Sequence, residues 1–447
     1  MEKNLARGSV FKNLILFSLP FLLSYLLQTL YGLADLFIIG QFDPTAGTSA
    51  VSIGSQVMHM LTVMIVGLAM GSTVLIGKAV GSEDAELKNI SIGNTVTLFL
   101  IISAVLTVIL LVCTAPIVSV MSTPAEAVSG TRDYLKICFA GIPFIVMYNI
   151  ICSIFRGMGD SKSPMYIVTV ACFCNIVLDL LFIGLCHMGP AGAALGTTTS
   201  QAISVIIAFF AIRSKQMLSG LEKRHFKPDS KIIKNILSVG IPVSAQDGFI
   251  QISFIVITVF ANQRGLADSA AVGIVEKLIG ILFLIPSTLL ASVSAICAQN
   301  IGAGKEDRAK STMWYAILVA AGCGLVFAVV FQFAAAGAVG LFSSDPEVIR
   351  LGDQYMRSYV WDCILAGMHF VFSGYFCACA KSGLSFMHNV ISIVCARIPI
   401  AYYTSVHFPD TLYPMGWAAP IGSLLSVIVC LIAYAYLNRR ILKTGQL

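Results

Sequence analysis

The segment Leu14–Gly40, with the sequence LILFSLPFLLSYLLQTLYGLADLFIIG, decides the class of this fold. It is longer than the roughly 20 apolar residues that cross a bilayer as a helix, and Asp35 is its one charged residue. A carboxylate inside a membrane is costly, so Asp35 is a candidate functional residue. Asp179 lies in a second segment of this kind, Tyr166–His187.

The whole chain has the composition of a membrane protein. Of its 447 residues, 57% are hydrophobic and 11% are charged, and the mean hydropathy is +0.88. A soluble protein could not bury so much apolar surface. Because backbone polar groups must be paired inside a membrane, an all-α integral membrane bundle of about twelve transmembrane helices is expected. The expected spans are Leu14–Gly40, Val51–Gly77, Thr95–Met121, Tyr134–Phe155, Tyr166–Cys186, Ala191–Ile212, Ile236–Ala261, Ala271–Ala298, Met313–Phe342, Tyr359–Cys379, Val390–Val406 and Met415–Leu437.

Basic residues predict the orientation of this bundle, because they collect in alternate connections. Phe42–Ala50 and Phe408–Tyr413, on the opposite side, carry almost none. The positive-inside rule then predicts that both termini are cytoplasmic. The expected location of the protein is the cell inner (plasma) membrane. The net charge of +6 is explained by this asymmetry, so nucleic-acid binding is not expected. The basic clusters are Lys3–Lys12, Lys78–Lys88, Arg156–Lys162, Arg213–Lys234, Lys305–Lys310, Lys381 and Arg439–Lys443.

The two halves of the chain repeat. Lys12-Asn13 followed by Pro20 returns 222 positions later as Lys234-Asn235 followed by Pro242. With six spans in each half, the repeats have the same orientation and are expected to form two six-helix lobes related by a pseudo-two-fold axis along the membrane normal. The predicted domains are an N-terminal lobe over 1–212, a basic cytoplasmic linker over 213–234 and a C-terminal lobe over 235–447.

Polar residues in the first lobe share helix faces with the two aspartates. Tyr31 and Asp35 are four residues apart, as are Asn175 and Asp179. Together they predict a small polar cage in which a desolvated carboxylate pair holds a proton or the oxygens bind Na⁺. The alternative is that both aspartates are structural groups that stabilise helix contacts.

The repeat predicts which lobe holds this cage. The positions 222 residues after Asp35 and Asp179 are Ile257 and Ala401, so the second lobe lacks both acids. The coupling site is therefore expected in the N-terminal lobe.

The second lobe has a different set of polar residues. Gln246, Asp247 and Gln251 follow Pro242 at mostly helical spacing, and Arg397 stands where the repeat places Asn175. We expect Asp247 or a neighbouring group to pair with Arg397 and to line a cavity in this lobe. Pro20 and Pro242 are expected to kink their helices, because proline removes a backbone hydrogen bond.

Catalysis is not expected. The connections are too short for a soluble catalytic domain, and no paired His or Ser-His-Asp arrangement stands out. The 13 cysteines fall mostly inside spans and suggest neither a disulfide framework nor a metal site, apart from possible Na⁺ in the first lobe. No cofactor is expected beyond H⁺ or Na⁺ as the coupling ion.

The motifs resemble the multidrug and toxic compound extrusion (MATE) family. They are Tyr31-Gly32-Leu33-Ala34-Asp35, Asn175-Ile-Val-Leu-Asp179 and Gly192-Ala-Ala-Leu-Gly196-Thr197, within the duplicated twelve-span plan. The first-lobe motif is similar to the DinF-like branch, which includes MepA-like bacterial exporters. This resemblance implies cation-coupled antiport, with an ion and proton site at Asp35, Asn175, Asp179, Thr197 and Tyr31, and a bending proline at Pro20.

Two departures from the family pattern narrow the resemblance. The NorM-like branch has an acid in the seventh helix where this chain has Gln251, and it has an acid in the tenth helix where Gly367–Met368 lie. A cation site of that type in the second lobe is therefore not expected. Leu180 follows Asp179 where the family often has proline.

The expected substrates are lipophilic organic cations. The chain has 16 Met and 27 Phe, which suit a pliable aromatic cavity that attracts cations. The alternative is a flippase for a lipid-linked or amphiphilic precursor. The expected partners are small molecules and membrane lipids, and the transporter is expected to act as a monomer.

Overall fold

The computed structural model describes residues 4–43, 46–121, 123–214 and 220–444, and these residues form helices and connections without a strand. Of the expected features, Lys3, residues 44–45 of a connection, residues 215–219 of the basic segment and residues 445–447 lie outside this part. The helices of the first half are α1 Val10–Phe42, α2 Ala46–Gly81, α3 Ala85–Val112, α4 Thr114–Val120, α5 Val128–Ala140, α6 Ile142–Gly157, α7 Lys162–Asp179, π1 Leu180–Leu185 and α8 Gly189–Ser214.

A 3₁₀ turn, Lys223–Phe226, leads into the second half. The helices of that half are α9 Ser230–Arg264, α10 Leu266–Leu282, α11 Leu284–Gly302, α12 Glu306–Gly340, α13 Pro346–Tyr359, α14 Asp362–Ala378, α15 Ser382–Ser392, π2 Ile393–Arg397, α16 Ile398–His407, α17 Tyr413–Gly416 and α18 Ala418–Thr444.

Ten helices of the described residues are long and apolar enough to cross a membrane, and counting two bent pairs as one span each gives twelve. The predicted all-α membrane fold is confirmed. The bent pairs are the fourth and tenth spans: α5 and α6 meet at 51°, and α13 and α14 meet at 44°. Both spans begin earlier than expected, at Val128 and Pro346, because their first helices are too polar to register as apolar segments.

The outer faces of the helices are apolar. Phe333 and Leu341 on α12 and its end are exposed by 85% and 83%, and Phe173 on α7 by 70%. Such large apolar side chains would be costly in water, whereas lipid tails solvate them without penalty. The exposed surface is therefore that of a membrane protein.

The described chain divides into two compact units. One comprises residues up to Arg7 and Ile15–Gly240, and the other comprises Gly8–Leu14 and Ile241–Leu447. These units differ from the expected lobes in two places. The start of α1 belongs to the second unit, where Phe11 packs on Tyr315 with ring centroids 5.8 Å apart. The start of α9 belongs to the first unit.

Glycines let α2 and the start of α9 approach closely in the first unit. A Cβ on Gly71 would collide with the backbone carbonyl of Ile236, and one on Gly240 would collide with that of Leu68. Only glycine allows two backbones to lie this close. The second unit has a core rich in buried aromatic side chains, including Tyr355, Tyr359, Phe372 and Phe376.

Candidate functional site

Asp179 is placed by the end of α7. The helix changes there to the wider π1 turn, which begins at Leu180, the position at which proline was expected from the family. Single π turns inside helices are rare and occur often at functional sites. The Asp179 side chain has no exposed surface, and Asn175, one turn earlier, is 1% exposed.

The Gly196-Thr197 pair of α8 closes the site against these residues. A Cβ on Gly196 would collide with Oδ1 of Asp179, so the carboxyl group lies directly on the backbone of α8. The Thr197 hydroxyl donates a hydrogen bond to Oδ2 of Asp35 at 3.4 Å. A Cβ on Gly192, one turn earlier, would lie 3.2 Å from the backbone nitrogen of Ile183 in π1. The motif therefore brings α8 onto both acids.

The two carboxyl groups lie together. Asp35 is 7% exposed, and it interacts with Asp179 and Asn175, although Thr197 is its one hydrogen-bond donor among the described residues. The Asp179 oxygens have no donor among the described residues. Two carboxylates can bond to each other only if a proton lies between them, since both are acceptors. No basic side chain of the described chain interacts with either acid.

Further polar side chains lie near the two acids. Tyr31 is half-buried and lies near Gln201 on α8. Tyr134 and Cys138 of α5 are buried beside Asp35. Sequence reasoning missed Gln201, Tyr134 and Cys138 as site residues. Gln201 follows Thr197 by four positions and so shares its helix face, which was the one signal available.

These groups suit a small hard cation or a proton. The Asp35, Asp179, Asn175 and Thr197 side chains supply carboxylate, amide and hydroxyl oxygens, the ligands that hard cations prefer. In the described residues, no group of three or more His, Cys, Asp or Glu side chains could hold a metal ion. The chemistry available is therefore exchange of a proton or an alkali cation at two acids.

Arg397 of the second unit is buried in a different environment. It is 8% exposed, and its Nη2 donates a hydrogen bond to the Tyr359 hydroxyl at 2.7 Å. The guanidinium carbon lies 4.5 Å from the ring centroid of Phe254, a cation–π contact. The expected ion pair between Arg397 and Asp247 is not found in the described structure. Asp247 lies near the Cys377 thiol instead.

A small cavity in the second unit is lined by Arg397, Asp362, His369, Asn389, Ser392 and Ser423, together with apolar side chains including Phe283 and Phe370. Ile250 is its lining residue from α9, so Gln246, Asp247 and Gln251 lie outside it. Gln246 is buried with Oε1 unpartnered, and Asp247 and Gln251 are half-buried.

Sequence reasoning missed Asp362 and His369 as cavity residues. Both lie on α14, seven positions apart and hence on one face. Asp362 is the first residue of the helix after the bend and lies inside the expected tenth span, so a carboxylate within an apolar segment was the signal available. A buried network continues from His369, whose ring lies 5.5 Å from that of His388 between centroids.

The two helix prolines lie inside continuous helices. Pro20 stands in α1 and Pro242 in α9. The Pro20 carbonyl accepts a hydrogen bond from the Ser24 hydroxyl at 2.8 Å. Their action as kinks remains a prediction.

A sequence model of the family described as MatE matches residues 20–181 and 242–403, which is more than half of the chain. The chain belongs to the MatE family. The two matches stay 222 positions apart, so each repeat of the MatE chain carries one copy of the family sequence. Proteins of this family are membrane transporters rather than enzymes, and they need no cofactor.

Curated relatives cover most of this MatE protein. The probable multidrug resistance protein YoeA of Bacillus subtilis is 27% identical over 410 residues, 90% of this chain and 88% of the relative. The multidrug export protein MepA of Staphylococcus haemolyticus is 27% identical over 367 residues, 82% of this chain and 81% of the relative.

A solved structure shares the fold. It is described as the outward-facing conformation of a multidrug resistance MATE family transporter of the MOP superfamily; its TM-score is 0.90 at 22% identity, and 98% of each chain is covered. The predicted family and fold class are confirmed. The protein is a multi-pass membrane transporter of the bacterial MATE type, which places it in the inner membrane.

Proposed function

We propose that this MatE protein is a cation-coupled antiporter that exports lipophilic organic cations by alternating access. The proposal is carried by one observation: Asp35 and Asp179 lie within reach of each other, buried, and without a basic partner in the described chain. Two carboxylates in a low dielectric repel each other unless a proton or a cation neutralises them. Entry and loss of H⁺ or Na⁺ at this pair then drive the exchange of conformations.

Asn175, Tyr31 and Thr197 complete this coupling site. Thr197 supports the proposal through its bond to Asp35, and Asn175 through its place one helical turn from Asp179. Tyr31 lies one turn from Asp35 and closes the other side. These neutral groups solvate an ion without fixing a charge, which suits an ion that must leave again.

The substrate class is supported by the relatives. YoeA and MepA carry the names of multidrug resistance and multidrug export proteins. The 16 Met and 27 Phe of this chain provide polarisable and aromatic surface for lipophilic cations. Because one chain contributes both acids, a monomer is sufficient for coupling. The monomer would lie in the lipid bilayer with both termini in the cytoplasm.

The test is efflux of a fluorescent organic cation from proteoliposomes under an imposed H⁺ or Na⁺ gradient. The native chain is expected to drive efflux under one of these gradients and so to identify the coupling ion. Asp35→Asn and Asp179→Asn are each expected to abolish gradient-driven efflux, because an amide cannot carry the exchangeable charge.

The control is the circular dichroism and elution volume of each variant, which must match the native protein. Efflux that survives in both folded variants would contradict a coupling role for this pair. Absence of efflux from the native chain under either gradient would reject the drug exporter and favour the flippase of a lipid-linked precursor.

A further inference from the structure

The guanidinium of Arg397 occupies the position that the repeat equates with Asn175 of the coupling site. In the first unit this place next to the acids holds a neutral amide, whereas in the second unit it holds a fixed positive charge. Arginine stays protonated even when it is buried. Its Nη2 is held by Tyr359 and its face by Phe254, so the charge is fixed in position.

One buried acid, Asp362, and one half-buried acid, Glu276, interact with this charge. Asp362 is 1% exposed, and its Oδ1 has no hydrogen-bond partner. Glu276 accepts a hydrogen bond from the Thr258 hydroxyl at 3.2 Å, while its Oε1 is unpartnered. Arg397 interacts electrostatically with both carboxylates.

Neither acid forms a direct ion pair with Arg397 among the residues that the structure describes, where ion pairs such as Arg264–Asp268 at 2.8 Å are found. The Arg397 Nε is also unpartnered. One guanidinium therefore acts on both carboxylates without a direct ion pair to either.

Asp35 and Asp179 of the first unit and Asp362 of the second are buried, Glu276 of the second is half-buried, and the two pairs differ in what neutralises them. In the first unit Asp35 and Asp179 have no basic neighbour in the described chain. In the second unit Glu276 and Asp362 have one that cannot leave. Buried charges without compensation are strongly unfavourable, so each pair needs a positive charge from some source.

We propose that Arg397 is a tethered cation, a side chain that permanently fills the role in the second unit that an exchangeable H⁺ or Na⁺ fills in the first. Glu276 and Asp362 therefore take up and release no coupling ion, and of these four acids only Asp35 and Asp179 exchange one. This inference rests on the proposed coupling function of that pair.

Removal of the tethered cation is expected to create a cation-dependent site. The experiment uses the full chain carrying Asp35→Asn and Asp179→Asn, so that the first unit no longer responds to ions. In this background Arg397→Ala is expected to melt at a lower temperature than its parent. Addition of Na⁺ far above its dissociation constant, or acidification, should raise the melting temperature of Arg397→Ala again by about 5 °C.

The melting temperature is measured in detergent against NaCl and against pH, with N-methylglucamine chloride to hold the ionic strength constant. The ionisable groups that face the guanidinium are Glu276, Tyr355, Tyr359, Asp362 and His369. The parent with Arg397 intact shows how titration of these groups alone changes the melting temperature. The proposal is tested by the further change in melting temperature that appears only in Arg397→Ala.

Two further variants are matched controls. Arg397→Lys keeps the charge and is expected to add no cation response. Arg397→Ala combined with Glu276→Gln and Asp362→Asn lacks the acids, so it is expected to be folded and to add no response. If Arg397→Ala alone does not fold, this combined variant must recover folded protein, because the penalty arises from the uncompensated acids.

Failure of that recovery would overturn the proposal. So would a folded Arg397→Ala protein that responds to neither Na⁺ nor pH beyond its parent, or a response that persists without the two acids. None of these measurements depends on transport, so they can fail while the native chain still couples efflux to an ion through the first unit.

Discussion

Asp179 can be fully buried because residue 196 is glycine. The Asp179 Oδ1 atom occupies the space where any other side chain at position 196 would begin. The next residue, Thr197, then reaches Asp35. Because Gly196 has a hydrogen atom where other residues have a Cβ, α8 can lie this close to both acids.

Gly196→Ala is expected to slow gradient-driven efflux about tenfold or more. The added methyl group must displace the carboxyl group or α8, and such overpacking costs about 1–3 kcal/mol. The measurement is the initial rate of efflux from proteoliposomes. Gly322→Ala is the control, since a Cβ there meets no atom within 4 Å, and it should transport at the native rate. Equal rates in both variants would contradict the tight contact.

At the scale of elements, residues 225–229, which lie between the repeats, are hydrogen-bonded to α3 of the first unit. Asn94 donates to the His225 carbonyl at 3.2 Å and accepts from the Asp229 amide at 2.7 Å. Thr97 donates to the Phe226 carbonyl at 2.8 Å. A Cβ on Gly93 would collide with the His225 carbonyl, so the segment lies directly on the helix. The described part of the basic linker, residues 220–234, therefore belongs to the first unit, with residues 225–229 hydrogen-bonded to α3.

Asn94→Ala is expected to make this segment about tenfold more sensitive to trypsin at Lys223 and Arg224. It removes two hydrogen bonds of about 0.5–1.5 kcal/mol each, so local opening becomes more frequent. The cleavage rate is followed by electrophoresis of intact protein in detergent. Asn149→Ala is the control, because that amide bonds only to a carbonyl of its own helix. An unchanged cleavage rate for Asn94→Ala would reject the binding role.

Pro20 is expected to favour transport at the cost of stability of α1. A proline inside a helix costs about 3 kcal/mol, since it removes a backbone hydrogen bond and clashes with the preceding turn. Pro20→Ala should therefore raise the melting temperature and lower the efflux rate. Pro346→Ala, at a helix start where proline is tolerated, should change neither quantity much. A faster or unchanged efflux rate in Pro20→Ala would argue against a proline bend in the cycle.

At the scale of the whole molecule, the two repeats keep the helix plan and differ in charge. Asp35 and Asp179 of the first repeat correspond to Ile257 and Ala401 of the second, which are 1% and 0% exposed and belong to an apolar core. Asn175 corresponds to Arg397. Duplication preserved the packing positions, and the chemistry diverged at the same few sites.

Substitutions at equivalent positions of the two repeats are therefore expected to change different properties: ion coupling at Asp35 and stability at Ile257. Asp35→Asn should abolish coupled efflux and change the melting temperature little, since an amide is similar in size and uncharged. Ile257→Val should leave coupled efflux at the native rate and cost about 0.5–1.5 kcal/mol of stability, as expected for a methyl group lost from a core. Both quantities are measured on the same two proteins, and loss of coupling in Ile257→Val would contradict the assignment to one unit.

The sequence by itself determined the membrane class, the twelve spans, the repeat of 222 positions and the identity of the two acids. These follow from local physics, because long apolar runs and a carboxylate within one are recognisable without knowing what they contact. The bent fourth and tenth spans were placed too late, since polar first helices give no apolar signal.

Only the tertiary structure decided which distant groups meet. Asp35 and Asp179 are far apart in the chain, and their contact depends on the packing of α1, α7 and α8. The same packing gave Arg397 Tyr359 as its partner in place of Asp247, and placed Gly8–Leu14 in the second unit. Helical periodicity fixes which residues share a face, but it carries no information on which faces pack together, because that choice depends on the shapes of all the helices at once.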